Sequence, residues 1–115
     1  MKYAFADVSR EDVLARLRTM PIRTWSYRVN ASSVRHLGPT AQDFHAAFGL
    51  GDDDRTIAGV DAQGVALAGV QELDARSQRQ QAEIDALRAE NAGIRQENIA
   101  LRARLDAIEA LLARP

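Results

Sequence analysis

From Val70 to Leu112 the chain places a seam residue at alternating steps of three and four without a slip. With position a at Val70, Ser77, Ile84, Asn91, Asn98, Leu105 and Leu112, position d falls at Leu73, Gln80, Leu87, Ile94, Leu101 and Ile108. Nine of these thirteen residues are apolar. An apolar repeat of 3.5 residues keeps one face of a helix turned toward partner helices over its whole length, so the repeat predicts a coiled coil. Between Ala62 and Ala113, a rise of about 1.5 Å per residue gives a rod of roughly 78 Å. A small head cannot cover such a rod.

The flanking charges set the expected orientation. Residues at g and at the following e pair as Glu83 with Arg88, Glu90 with Arg95, Glu97 with Arg102, and Arg104 with Glu109. Such pairs meet across parallel, in-register helices. Ile84 at a with Leu87 at d suits two strands, whereas Ile94 and Ile108 at d with Leu105 and Leu112 at a favour three or more. The run Arg104-Leu105-Asp106-Ala107-Ile108-Glu109 also resembles the short signature of parallel trimers, with Arg at g and Glu at e. A homotrimer is expected. Ser77, Gln80, Asn91 and Asn98 weaken the apolar contact but favour the one register in which their side chains meet. Gly93, off the seam, costs about 1 kcal/mol relative to Ala.

Composition divides the chain near Asp61. All three Phe, both Tyr, Trp25, both His and two of the three Pro precede it. The expected organisation is therefore a head over residues 1–60 and a long helix over residues 61–115, with Asp61 as its N-cap. The fold class is mainly α with a small β element in an α+β head, followed by a parallel trimeric coiled coil. Fifteen Lys and Arg against 16 Asp and Glu leave a net charge of -1, which gives no footprint for nucleic acid or an anionic membrane. With no Cys there is no disulfide framework, thiolate metal site or Cys nucleophile. The opening residues turn acidic at Asp7, too early for a signal peptide, and no apolar run reaches about 18 residues. A soluble chain without an export or anchor signal is expected.

Within the head, Ser9 followed by Asp12 reads as the cap of a helix from about Arg10 to Arg18, with Val13, Leu14 and Leu17 on its buried stripe. Pro21 stops it. Ile22, Trp25, Tyr27 and Val29 predict a strand, Asn30 to Ser33 a turn, and Val34 to Leu37 a returning strand. Pro39 as first helical residue opens a second helix through Phe48 that buries Ala41, Phe44 and Phe48, stopped by Gly49 or Gly51. Thr56 to Val60 forms a short extended lead into the rod. A head of about 60 residues buries only about 60% of the surface its unfolded chain exposes, and packing against sister heads relieves the deficit.

Four blocks in order carry a resemblance: Met20-Pro21-Ile22-Arg23-Thr24-Trp25-Ser26-Tyr27, Arg35 to Phe44, Phe48-Gly49-Leu50-Gly51, and Val60 to Ala68. Together, over about Lys2 to Leu73, they resemble the C-terminal intramolecular chaperone domain of phage tail spikes, tail fibres and endosialidases, the peptidase S74 family. The resemblance implies a trimerising chaperone that aligns three chains, lets an upstream fibrous domain of the same precursor fold, and is released by self-cleavage. It also implies assembly in the cytoplasm of the producing cell, with the fibre destined for a virion or phage-like particle. In the family a neutral Lys takes the proton of a Ser hydroxyl that attacks the peptide bond before it. Of the usual Ser-Asp-x-x-Leu-Lys-x-x-Phe form, Lys2 and Phe5 match, with Met1 at the Leu position. The Ser would lie five residues before Lys2, outside this sequence, so Lys2 is expected to be a remnant of the dyad and the chain as given inactive. Thr40 stands where the family more often has Met, and Gly69-Val70 where Ala-Ile is usual.

Other chemistries read poorly. His36, Asp43 and one of Ser26, Ser32 or Ser33 contain the residue types of a hydrolytic triad, but nothing in the sequence positions them. A polar network of His36 with Gln42 and Asp43, placing the second helix or crossing the trimer interface, is the expectation instead. His36, His45 and Asp43 have the wrong spacing for a metal site, and Asp52-Asp53-Asp54 lacks the alternation and Gly of a calcium loop. Neither metal nor cofactor is expected. Trp25, Phe44 and Phe48 read as core rather than as a ligand pocket. A zipper-type DNA binder needs a basic helix before its heptads, and Gln71 to Glu83 has only Arg76 and Arg79 against three acids. The competing class is a stand-alone coiled-coil oligomerisation or scaffold protein with no fibre to fold.

Overall fold

The computed structural model describes all 115 residues. Three helices, α1 (Arg10–Thr19), α2 (Ala41–Phe48) and α3 (Gly59–Leu112), accompany two short strands, β1 (Arg23–Trp25) and β2 (His36–Gly38). The chain divides into two units, Met1–Ala75 and Arg76–Pro115.

In the first unit α1 starts where Ser9 Oγ accepts the Asp12 N–H at 3.2 Å, satisfying one of the free donors of the first turn. It ends at Met20, whose ψ of 125° is the extended conformation that a following Pro favours. Arg16 ties two elements together. Its Nε lies 2.8 Å from Asp12 Oδ2, one helical turn away, and its Nη1 donates to Ala47 O at 2.6 Å, near the C-terminus of α2 where backbone carbonyls are unpaired.

β1 and β2 pair antiparallel with Arg23 opposite Gly38, Thr24 opposite Leu37 and Trp25 opposite His36. The strands are shorter than the alternating apolar pattern predicts. Ladder pairing stops because the Ser26 hydroxyl turns to the carbonyls of Val34, at 2.7 Å, and Ser32, at 3.1 Å, while Asn30 N–H closes a turn on Tyr27 O. Tyr27 and Val29 therefore lie exposed in the connection instead of in a strand.

Thr40 caps α2, its Oγ1 accepting the Asp43 N–H at 3.1 Å. This corrects the expectation that Pro39 is the first helical residue: Pro39 precedes the cap, where its fixed φ leads the chain in. Gly49 closes α2 at φ 62°, ψ 24°, the left-handed conformation expected at a glycine stop. α3 begins at Gly59, two residues before Asp61 and inside the segment expected to be an extended lead. Asp61 thus sits in the first turn, where a carboxylate still faces the positive end of the helix dipole.

The core is small. Val13, Phe44 and Val65 are buried, with Leu17, Met20, Phe48, Ile57 and Ala68 packed around them. Three covered side chains at roughly 1.5–3 kcal/mol each make a thin hydrophobic term for a unit of this length. Every buried side-chain nitrogen and oxygen has a hydrogen-bond partner.

In the second unit every residue from Ser77 onward is exposed. The helix closes with the Ala113 N–H on Glu109 O at 3.0 Å. No helix is long and apolar enough to cross a membrane.

Candidate functional site

Within the first unit α3 presents two different faces. Val65, Gly69 and Glu72, spaced four and three residues apart, are buried. Val70 and Leu73, the first a and d residues, lie roughly 100° round the helix and remain 63% and 55% exposed. The head thus packs on α3 without covering the start of the seam.

In the second unit the rest of the seam is open as well. Ile84, Leu87, Ile94, Leu101, Leu105, Ile108 and Leu112 all belong to the exposed large apolar residues, and Ile84 is the least exposed at 42%. Within this unit the seven side chains recur along one helix with the seven-residue repeat, and Asn91 and Asn98 fall at the same repeat positions. A line this long has the form of an interface, since monomeric soluble proteins rarely leave so extended an apolar surface open.

The charges beside the seam find no partners within the chain. Glu83, Arg88, Glu90, Arg95, Glu97, Arg102, Arg104 and Glu109 make no ion pair within the chain, whereas Arg16 pairs with Asp12 and Arg23 with Asp43. The reason is spacing. The g and e partners are five residues apart, which puts them about 140° apart round one helix, and only i,i+3 and i,i+4 neighbours meet on a single helix.

In the head, the predicted residues fall in three places. Phe44 is 3% exposed and its ring centroid lies 5.2 Å from that of Phe48, as a core pair. Trp25 is not with them. It is half-buried on β1, donates from Nε1 to Gly38 O at 3.2 Å, and packs with Tyr27 at 4.9 Å and His36 at 5.2 Å between ring centroids. Tyr27 and His36 close the triangle at 5.1 Å. His36 therefore sits in an aromatic cluster rather than in a network with Gln42 and Asp43. Asp43 faces Arg23 instead, at 3.7 Å, which joins β1 to α2. Gln42 is exposed in the first turn of α2, and Lys2 lies in the exposed segment before α1.

Nothing in the head assembles a hydrolytic centre. The Ser26 hydroxyl is held by backbone carbonyls and by Arg35 Nη1 at 3.2 Å, while Arg35 Nη2 reaches Thr24 Oγ1 at 2.8 Å. His45 Nδ1 lies 3.2 Å from Leu50 O. No group of three or more His, Cys, Asp or Glu is arranged to hold a metal ion. Asp53 serves its own turn: the backbone N–H groups of Arg55, at 2.9 Å, and Thr56, at 3.2 Å, hold its carboxyl below the usual 3.8.

Sequence reasoning missed Arg16, Ser26, Arg35 and Gly69 as positioning residues. The Asp12–Arg16 spacing was visible, but the reach of Arg16 to Ala47 and of Arg35 across the hairpin depends on tertiary structure.

Residues 1–50 match the family model Peptidase_S74, chaperone of endosialidase. That is the family the sequence resembles, and the match covers its first two blocks and Phe48-Gly49-Leu50 of the third; the block from Val60 to Ala68 lies beyond it. No curated protein and no solved structure matches.

Proposed function

We propose that the chain is an intramolecular chaperone and trimerisation module, in which α3 aligns three identical chains in parallel and thereby assists folding of an upstream tail-fibre or tail-spike domain of the same precursor. One observation carries the reading: the nine apolar seam residues are open, and the g and e charges beside them are unpaired in the chain and spaced too far apart to pair with each other on one helix. Orientation follows from charge placement. Glu83, Glu90 and Glu97 line the g edge, and Arg88, Arg95 and Arg102 the e edge. Parallel chains put g against e, opposite charges together, whereas antiparallel chains put e against e and g against g, like charges together. Ile at d and Leu at a favour three strands over two.

The thin core of the head supports the same reading, because contact with sister heads would cover exposed side chains such as Ile22, Leu37 and Val60. Release by self-cleavage, with Lys2 as the base and the nucleophilic Ser on a segment preceding it, extends the proposal to the precursor. Assembly then takes place in the cytoplasm of the producing cell, before the fibre joins a particle.

Molar mass from light scattering at micromolar concentration tests the assembly. Three chains per particle is the expected result, and a monomer or an antiparallel dimer refutes the proposal. Three chains per particle in a gene with no β-rich coding sequence upstream of Met1 favours a stand-alone scaffold over a chaperone.

A further inference from the structure

The charges at g and e are not one repeat carried through. Three successive pairs run Glu at g to Arg at e, from Glu83–Arg88 to Glu97–Arg102, and the fourth reverses to Arg104 at g and Glu109 at e. All eight side chains lack an ion-pair partner within the chain, and Leu101, Leu105 and Ile108 beside the reversal are 56%, 54% and 52% exposed. The geometry points to this reversal as an axial lock: a second copy of the chain docks on α3 only at zero offset, because a slip of one heptad sets like charges against each other at the reversal. The inference rests on the parallel assembly proposed above and names the residues that fix its alignment.

A coiled coil built on a seven-residue repeat is exposed to this error, since a slip of seven keeps every a and d layer in place. In register, Glu97 faces Arg102 and Arg104 faces Glu109 of the neighbouring chain. After a slip of one heptad, Glu97 on one side of the pair faces Glu109, and Arg104 on the other side faces Arg102. The uniform block cannot prevent this, because Glu83 then meets Arg95 and Glu90 meets Arg102, still opposite charges. The reversal alone turns attraction into repulsion among the charges from Glu83 to Glu109. The seam acts in the same direction, with Asn98 driven against Leu105, but Asn91 still finds Asn98, so one of its two amide layers survives the slip.

The absence of Cys makes the lock directly readable. Two full-length proteins, one carrying Leu105→Cys and the other Leu112→Cys, are mixed, unfolded, refolded together and equilibrated in a glutathione redox buffer. Positions 105 and 112 are both seam layers, about 10.5 Å apart along the helix, and a disulfide does not span Cα atoms more than about 7 Å apart. In-register chains give 105–105 and 112–112 bridges, and slipped chains give 105–112. With native charges the mixed bridge is expected to be a trace product. With Arg104→Glu and Glu109→Arg in both proteins, which keeps the in-register pair attractive but removes the reversal, its share is expected to rise by about tenfold as several surface charge terms change sign together. An unchanged share overturns the lock while parallel assembly stands. Monomeric mass with no bridge of any kind overturns both.

Discussion

A β-carbon built on Gly69 would lie 2.8 Å from Leu17 Cδ1, so the tip of the Leu17 side chain must shift to admit any larger residue at position 69. Position 69 is where the resembled family usually carries Ala.

Two glycine substitutions on the same helix are therefore expected to behave differently. Gly93 faces open space, and Gly93→Ala should stabilise the helix by about 1 kcal/mol per chain through propensity alone. Gly69→Ala gains the same propensity but must displace the Leu17 methyl, so its net effect should be smaller or reversed. Denaturant unfolding of both variants checks this, and a Gly69→Ala gain equal to that of Gly93→Ala would show that the close approach carries no energy.

Asn91 and Asn98 are expected to trade stability for specificity. Replacing both with Ile completes the apolar line and should raise the unfolding midpoint, while removing two polar layers that restrict strand number. Light scattering should then show mixed oligomers where the native chain gives one. An unchanged midpoint would place the two residues off the seam.

Thr40 caps α2 through a hydrogen bond that Met, more frequent there in the resembled family, cannot make. Thr40→Ala should cost about 1 kcal/mol, within a range of roughly 0.5–2, while Thr40→Ser should be nearly neutral. Equal losses for Ala and Ser would mean that the methyl contact, not the cap, matters.

The Asp53 turn is expected to respond to acid. Its carboxyl is held below the usual 3.8 in the folded chain by backbone donors, chiefly the Arg55 N–H. A group whose folded value is depressed contributes stability above its unfolded value and loses it as pH falls through the folded one. Carbon-detected NMR should place the Asp53 midpoint below 3.8, and Asp53→Ala should loosen the turn at neutral pH more than at pH 2. A midpoint at the usual value would mean that the turn is open in solution.

How far the sequence carries can be read from particular residues. The long helix, α1 with its Ser9 cap and the Gly49 stop were legible because each is a local matter: a repeat, a hydroxyl three residues from a free N–H, a residue that tolerates positive φ. The exposed apolar residues of the long helix recur with the 3.5-residue period expected of a seam, a period that needs no tertiary information to read. Trp25 was misplaced because its size suggests core whereas its neighbours are set by the pairing of Trp25 with His36 across the hairpin. The partner that Asp43 takes within the chain was not legible either, as Arg23 reaches it only after β1 has been folded back toward α2. The strands were overextended because alternation does not reveal that the Ser26 hydroxyl captures the carbonyls of Ser32 and Val34.

Self-cleavage provides the last test, because it separates the chemistry proposed for the precursor from the assembly proposed for this chain. Lys2 lies in an exposed segment ahead of α1, and Ala4, two residues on, has a φ of 56°, a conformation uncommon outside glycine. An extended chain with Ser placed five residues before Lys2 and a β-rich domain ahead of it should cut itself before that Ser. Lys2→Ala and Lys2→Arg should both abolish cleavage, since a guanidinium does not release its proton in a protein. Both variants should still assemble with the native mass, because position 2 is far in sequence from the seam. Cleavage that survives Lys2→Arg would remove Lys2 as the base, and assembly that fails with it would show that the N-terminal segment belongs to the interface.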